Sequence, residues 1–310
     1  MTRLRIGTRA SALARWQANA VARAIHERHP AAAAELVELT TPGDEQPDAP
    51  LERMEGIGWF TSTLERALLE GRIDVAVHSY KDLPVESVAG LLVAATLPRG
   101  PVDDVLAARG GARLATLPAG ARVGTSSLRR LAQLRRLRRD LVYAPLRGNV
   151  PTRLERITRG ELDAVVLARA GLERLGLMGQ VTEVFPIARL IPAPGQGALA
   201  IQTRADDREV TQLVAALDDG PTHAAVRAER AVLRALRGGC SVPVGVAARL
   251  VGTGFRIRAG VFALETDEQL VVRLEGADPA ALAEEAARRL LDGGALRLLE
   301  RDGAPTESRS

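Results

Sequence analysis

The stretch Arg5-Ile6-Gly7-Thr8-Arg9-Ala10-Ser11 returns in altered form as Arg122-Val123-Gly124-Thr125-Ser126-Ser127. A second stretch, Gly71-Arg72-Ile73-Asp74-Val75-Ala76-Val77, returns as Gly160-Glu161-Leu162-Asp163-Ala164-Val165-Val166. The first pair reads as a short buried strand, a turn and a helix start; the second as a helix end, a glycine and a buried strand. Two echoes in the same order imply two α/β lobes of similar build.

Around these anchors, Leu4 to Gly7 reads as a strand, and Ser11 is placed to cap a helix running to about Arg28. Glu35 to Leu39 alternates as a strand. Pro42 to Gly58 is rich in Pro, Gly, Asp and Glu without periodicity, the composition of a long loop of the lid or binding type. Phe60 to Glu70 has helical spacing and Ile73 to Val77 is a buried strand. Leu97 to Pro101 and Ile191 to Gly195 are the hinge candidates, and a chain crossing twice between lobes encloses a cleft. After Gly220 the pattern changes. A helix over Thr222–Leu236 leads to Gly238-Gly239-Cys240, then strands near 244–249, 255–262 and 269–274, a helix over 279–291, and a polar tail from Asp302. That is a small α+β unit.

The 310 residues are 46% apolar and 26% charged, with a formal charge of +4, the balance of a globular chain. No apolar run approaches a membrane span, and the N-terminus runs straight into a strand without a secretory signal pattern. A single cysteine excludes an intrachain disulfide and fits a reducing cytoplasm. The cations are almost all arginine: Lys81 is the one lysine, inside His78-Ser79-Tyr80-Lys81-Asp82-Leu83-Pro84. Because Lys and Arg are not interchangeable where a compact charge is needed, that position invites a functional role. The run Arg135-Arg136-Leu137-Arg138-Arg139 suggests nucleic acid. Aromatic content of 3% and a near balance of acids argue against it. Leucines at 128, 131, 134 and 137 make this run an amphipathic helix with a solvated face.

Three turns gather hydroxyls, helix-start amides and guanidiniums: Thr8-Arg9-Ala10-Ser11, Gly124-Thr125-Ser126-Ser127-Leu128-Arg129-Arg130, and Leu146-Arg147-Gly148-Asn149 with Arg153. Each is either an N-cap with solvated arginines or an anion site; three in matching positions point to a polyanionic ligand. Asp82, just past a buried strand, is either a turn residue or a group that exchanges protons or stabilises a cation. Cys240 is either a small core residue or, given its glycine pair, an accessible nucleophile.

In sequence these motifs resemble the porphobilinogen deaminase family. Its likeness is carried by the stretches above together with Phe60-Thr61, Leu64-Glu65, Asp74–Pro84, Leu146–Val150, Pro194-Gly195-Gln196-Gly197-Ala198-Leu199 and Gly238–Cys240. The resemblance implies an α/β fold of two lobes like those of type II periplasmic binding proteins, plus a small α+β C-terminal domain. The implied domains are 1–97 with 198–216, 103–191, and 220–310. It implies a transferase that joins four porphobilinogen molecules onto a dipyrromethane cofactor, thioether-linked to Cys240, and releases hydroxymethylbilane. Asp82 matches the catalytic aspartate. Arg9, Ser11, Lys81, Thr125, Ser126, Ser127, Arg129, Arg130, Arg147, Arg153, Arg174 and Gln196 match cofactor- and substrate-binding positions. No metal, nucleic acid or membrane partner is implied, and a cytoplasmic monomer is expected.

The sequence departs from the family pattern at Ile57, where a lid lysine is usual, at Arg139 in place of proline, and at Gln202, where glutamate is common. The competing reading is a non-catalytic two-lobed carrier of small anions.

Overall fold

A computed structural model describes residues 3–40, 62–237 and 242–301. In it both echoes are explained by one local device. β1 (Arg3–Thr8) feeds α1 (Ala12–Arg28) and β2 (Ala33–Glu38); α2 (Ser62–Leu69) then leads to β3 (Val75–Ser79) and β4 (Leu91–Thr96). Further on come β5 (Asp104–Ala108), β6 (Arg122–Gly124), α3 (Leu128–Leu137), β7 (Val142–Ala144), α4 (Val150–Thr158), β8 (Ala164–Ala168), α5 (Arg169–Arg174) and β9 (Glu183–Phe185). The chain continues through β10 (Leu199–Arg204), α6 (Arg208–Ala215) and α7 (Gly220–Ala235).

β1 pairs in parallel with β3, Ile6 opposite Val75, and β6 pairs with β8, Val123 opposite Ala164. In the first sheet the Asp74 carboxylate accepts the Arg5 backbone N–H at 2.8 Å. In the second, Asp163 accepts the Arg122 N–H at the same distance. The repeated aspartate thus satisfies a backbone donor at the start of the neighbouring strand. The repeated glycine lets the covering residues approach. A Cβ on Gly7 would stand 2.3 Å from Ile73 Cδ1, and one on Gly124 would stand 2.7 Å from Leu162 Cδ1. Gly71 and Gly160, which follow α2 and α4, both take positive φ (66° and 75°), the conformation that ends a helix cleanly.

The sheets have matching orders, β2-β1-β3-β10-β4 and β7-β6-β8-β5-β9. In each, the strand second from one edge runs antiparallel to both neighbours: β10 in the first, β5 in the second. Strand–helix alternation does not reveal this, because β10 follows the whole second lobe in sequence. It also explains why the observed β3 lies two residues beyond the expected span: its end, to Ser79, is paired by β10 rather than β1. The chain forms two compact units, Met1–Gly100 with Gly197–His223, and Pro101–Gln196 with Ala224–Ser310. In the first, Leu4, Ile6, Val21 and Ile25 pack one face of the sheet while Leu64, Leu68 and Ile73 pack together in a second core cluster.

The second unit contains both the β5–β9 sheet and a three-strand antiparallel meander of β11 (Val244–Val251), β12 (Gly254–Phe262) and β13 (Gln269–Gly276). α8 (Pro279–Asp292), capped by Asp278, packs on β12 and β13, and α9 (Ala295–Arg301) follows. The expected hinge at Ile191–Gly195 is not a free linker. Val246 of β11 donates its N–H to the Pro192 carbonyl at 2.9 Å. Gly195 donates to buried Glu229 of α7 at 2.7 Å, and the other Glu229 oxygen accepts the Ala248 N–H at 2.7 Å. The expected loop at 42–58 and the tail from Asp302 lie outside the described residues.

Overpacking at the repeated glycine has a measurable cost. Gly7→Ala is expected to lower unfolding free energy by about 1–3 kcal/mol in urea titration. Gly179→Ala, where a Cβ meets nothing within 4 Å, is expected to change it little.

Candidate active site

The carboxyl ends of parallel strands, where helix N-termini and turn residues gather, are where α/β sheets bind ligands. In the first unit, adjacent strands β1 and β3 end there. Arg9 follows β1 and is half-buried, and Ser11 caps α1, its Oγ accepting the Ala14 N–H at 3.3 Å. β3 runs into a tight turn over Tyr80–Asp82, closed by a Leu83 N–H to Tyr80 carbonyl bond at 3.2 Å. Tyr80 points inward at 5% exposure, while Lys81 is half-buried and Asp82 exposed. Gln17 of α1 donates to Ser79 Oγ at 2.8 Å and ties the helix to the end of β3. Arg9, Ser11, Lys81 and Asp82 thus all follow the carboxyl ends of two adjacent parallel strands.

Beneath it is a buried polar chain. His78 Nε2 donates to Gln202 Oε1 at 3.0 Å, and Gln202 Nε2 donates to Glu65 Oε1 at 3.1 Å. Burial pushes the His78 imidazole down to about 4, and the Gln202 bond opposes this only partly. Gln202, noted as a departure from the usual glutamate, accepts from one neighbour and donates to the other. A glutamate there would face the Glu65 carboxylate.

In the second unit the corresponding edge is built from β6, β7 and β8. Ser127 caps α3 through the Arg130 N–H at 3.4 Å. Ser126 Oγ donates to the Leu146 carbonyl at 2.9 Å and accepts its N–H at 2.8 Å, clamping two turns together. Thr125 is buried, and its Oγ1 accepts the Ser127 N–H at 3.2 Å. Asn149 caps α4, accepting the Thr152 N–H at 3.0 Å, and Arg153 Nε donates to the Gly148 carbonyl at 2.7 Å. Arg147 and Arg153 are half-buried in this turn. Arg174, at the end of α5, is pushed down to about 10 by burial, with Glu173 opposing.

Arg129 and Arg130 differ from expectation. Helix α3 does not turn a leucine stripe inward and its arginines out; Arg129, Arg130, Gln133 and Leu134 are buried, and Leu137 is exposed. The physical reason is Asp104, which is fully buried at the start of β5. Arg129 Nη1 reaches its Oδ2 at 2.7 Å, while Arg130 Nη2 and Nε reach Oδ1 at 2.7 and 3.0 Å. Arg129 also donates to the Ile191 carbonyl and Arg130 to the Val166 carbonyl. Gln196 Nε2 completes the cluster, 3.0 Å from Asp104 Oδ1. Burial pushes the Asp104 carboxyl up, and the two guanidiniums outweigh it and hold it below the usual carboxylate range. These two arginines, expected to hold ligand carboxylates, thus direct these donors into the lobe. Asp104 escaped sequence reasoning. The available signal was a carboxylate opening the apolar strand Val105-Leu106-Ala107, which needs a buried cation.

Each unit therefore contains an α/β lobe with cationic side chains after its parallel strand ends. Gly238, Gly239 and Cys240, which carry the expected cofactor anchor, lie outside the described residues, as does Ile57. A model of the porphobilinogen deaminase dipyrromethane cofactor binding domain matches residues 4–212, and one of its C-terminal domain matches residues 223–292. The chain is similar to porphobilinogen deaminase of Moorella thermoacetica, 48% identical over 97% of this chain and 96% of that protein. It is 46% identical to that of Xanthomonas euvesicatoria, over 96% and 99% respectively. Among solved structures it is similar to the methionine-binding protein MetQ, with TM-score 0.46 and 14% identity over 69% of this chain and 89% of that one. The chain belongs to the porphobilinogen deaminase family. That sets aside the non-catalytic carrier. Among the described residues, no helix is long and apolar enough to cross a membrane.

Two stability effects follow from the buried groups. Asp104→Asn strips the charge that balances two buried guanidiniums and is expected to cost about 3–5 kcal/mol in denaturant unfolding. His78 has a lowered folded-state pKa, so the unfolded chain binds its proton first as pH falls. Its contribution is present at neutral pH, declines below the unfolded value near 6.5, and reaches a loss of about 3 kcal/mol by pH 4. Urea midpoints at pH 7 and pH 5 should differ less in His78→Gln than in the parent chain.

Proposed function

We propose that this chain is the transferase that deaminates porphobilinogen and condenses four units into hydroxymethylbilane, working on a dipyrromethane joined to Cys240. The substrate and cofactor rings each carry an acetate and a propionate, so the ligand is densely anionic. The donor chemistry at the strand ends of each unit fits it: Arg9, Ser11 and Lys81 in the first, and Arg147, Arg153 and Arg174 in the second. When bound, the dipyrromethane supplies the pyrrole carbon to which substrate units are added.

The observation that carries the residue-level reading is Asp82, an exposed carboxylate in the turn after β3, beside the chain's one lysine. Loss of ammonia from porphobilinogen leaves a methylene-pyrrole cation, and Asp82 is suited to accept a pyrrole N–H and stabilise that charge. Its carboxylate also suits receipt of the ring proton once the new carbon–carbon bond has formed. Lys81, a compact ammonium next to it, suits a ligand carboxylate rather than the cation. Arg129 and Arg130 act at one remove in this scheme, with Asp104 fixing the helix start that carries the Ser127 cap. Burial holds the Arg174 guanidinium below its ordinary value, and the same partial desolvation strengthens its attraction for a carboxylate that enters.

Division into three domains, 1–97 with 198–216, 103–191 and 220–310, is part of the same proposal. The separate β11–β13 meander supports it, although it shares a compact unit with the second lobe. We also propose a cytoplasmic monomer, in keeping with a lone cysteine and a thioether that needs no oxidant.

Intact mass tests the proposal. Freshly purified protein should exceed its sequence mass by roughly 400 Da, the size of a linked pair of pyrroles, and Cys240→Ser should lack the adduct. An unmodified parent mass, or an adduct on the serine variant, would contradict the anchor. Asp82→Ala should keep the adduct yet turn over about 100- to 1000-fold more slowly; near-normal turnover removes Asp82 from the chemistry.

A further inference from the structure

We infer that a groove in the second unit, made of residues with no part in the proposed reaction, binds a small polyanion carrying two or more carboxylate or phosphate groups. It lies where α3 and the 188–191 segment meet β12 and β13, with a volume of about 740 Å³. Arg136, Arg189, Arg258 and Arg273 line it, and no carboxylate does. Ile191 and Phe262 supply apolar wall.

Charge in this groove is only partly balanced from the elements around it. Arg189 gives Nη1 to Glu183 at 2.6 Å and lies over the Phe185 ring. Arg136 is within electrostatic reach of Asp267, but that carboxylate forms its ion pair with Arg139. Arg258 has a single hydrogen bond among those described, from Nη2 to the Ala188 carbonyl at 2.9 Å. Its Nε is buried without a partner among the described residues, and so is Nη1 of Arg136. Burial, and then the charge of Arg273, push the Arg258 guanidinium below its ordinary value.

Several guanidiniums crowded around a concavity repel one another, and donors removed from water without partners are costly. An anion with two or more charged groups answers both costs, because guanidinium forks bind carboxylate and phosphate oxygens in the same geometry. The size argues for a molecule rather than a single ion. The volume is many times that of one water and falls in the range of small-molecule clefts. The groove also shares a wall with the Asp104 cluster: the Ile191 carbonyl accepts both Arg129 Nη1 at 2.7 Å and Gln133 Nε2 at 3.1 Å. A ligand there would brace α3 against the C-terminal sheet.

Titration calorimetry of the cofactor-loaded protein at low salt, with citrate and with pyrophosphate as probes, tests this. The expected result is saturable binding of at least one probe, weakened at least tenfold in Arg258→Gln/Arg273→Gln, weakened by added salt, and retained in Arg147→Gln. Citrate and pyrophosphate arms separate carboxylate from phosphate preference. Arg273→Gln alone, at an exposed side chain, keeps the test valid if loss of Arg258 unfolds the protein. No binding of either probe, or binding unchanged in the groove variants and lost in Arg147→Gln, overturns the proposal.

Discussion

The second unit is organised around one buried negative charge. Asp104 has no exposed surface, so its carboxylate must be paired inside the protein, and it takes two consecutive arginines of α3 to do so. That pairing sets the rotation of the helix and therefore the direction of its first turn, where Ser127 caps it. Through Arg129 and Gln133 it also holds the Ile191 backbone, and through Gln196 the end of the same segment. Neighbouring Pro192 and Gly195 are fixed to β11 and to Glu229. Much of what connects the lobe to the C-terminal sheet hangs on a charge that must not be left alone.

The lobes use a common economy of parts. An aspartate caps a strand start, a glycine lets a helix-side leucine or isoleucine close in, and a small polar residue ends the turn as an N-cap. Hydroxyl oxygens that the sequence offers to a ligand also serve the backbone: Ser11 and Ser127 accept helix amides, and Ser126 both donates to and accepts from Leu146. In the proposed reading, the guanidinium and ammonium groups at these edges carry most of the anion recognition, with the hydroxyls building the platform. Such an edge matches a ligand whose charge repeats along its length better than one with a single charged group.

Much of this was legible in the sequence. The echo of Arg5–Ser11 in Arg122–Ser127 marks both strand ends, and the spacing of Gly71 and Asp74 marks the strand that leads into the Asp82 turn. The meander and its helix are readable from alternation and from Asp278 before Pro279. What escaped depends on contacts between residues far apart in the chain. The antiparallel insertion of β10 beside β3 leaves no local trace. The inward turn of Arg129 and Arg130 cannot be seen without Asp104, because arginine on an amphipathic helix ordinarily faces water. The pinning of Ile191–Gly195 needed Glu229, whose helix spacing gives no hint of two backbone partners.

Stoichiometry gives the most direct measure of the central claim, that this chain deaminates and couples porphobilinogen. Purified protein supplied with porphobilinogen should release four ammonia molecules for each hydroxymethylbilane formed, counted in the same sample. Ammonia without the linear tetrapyrrole, or porphobilinogen left unchanged by cofactor-loaded protein, would contradict it.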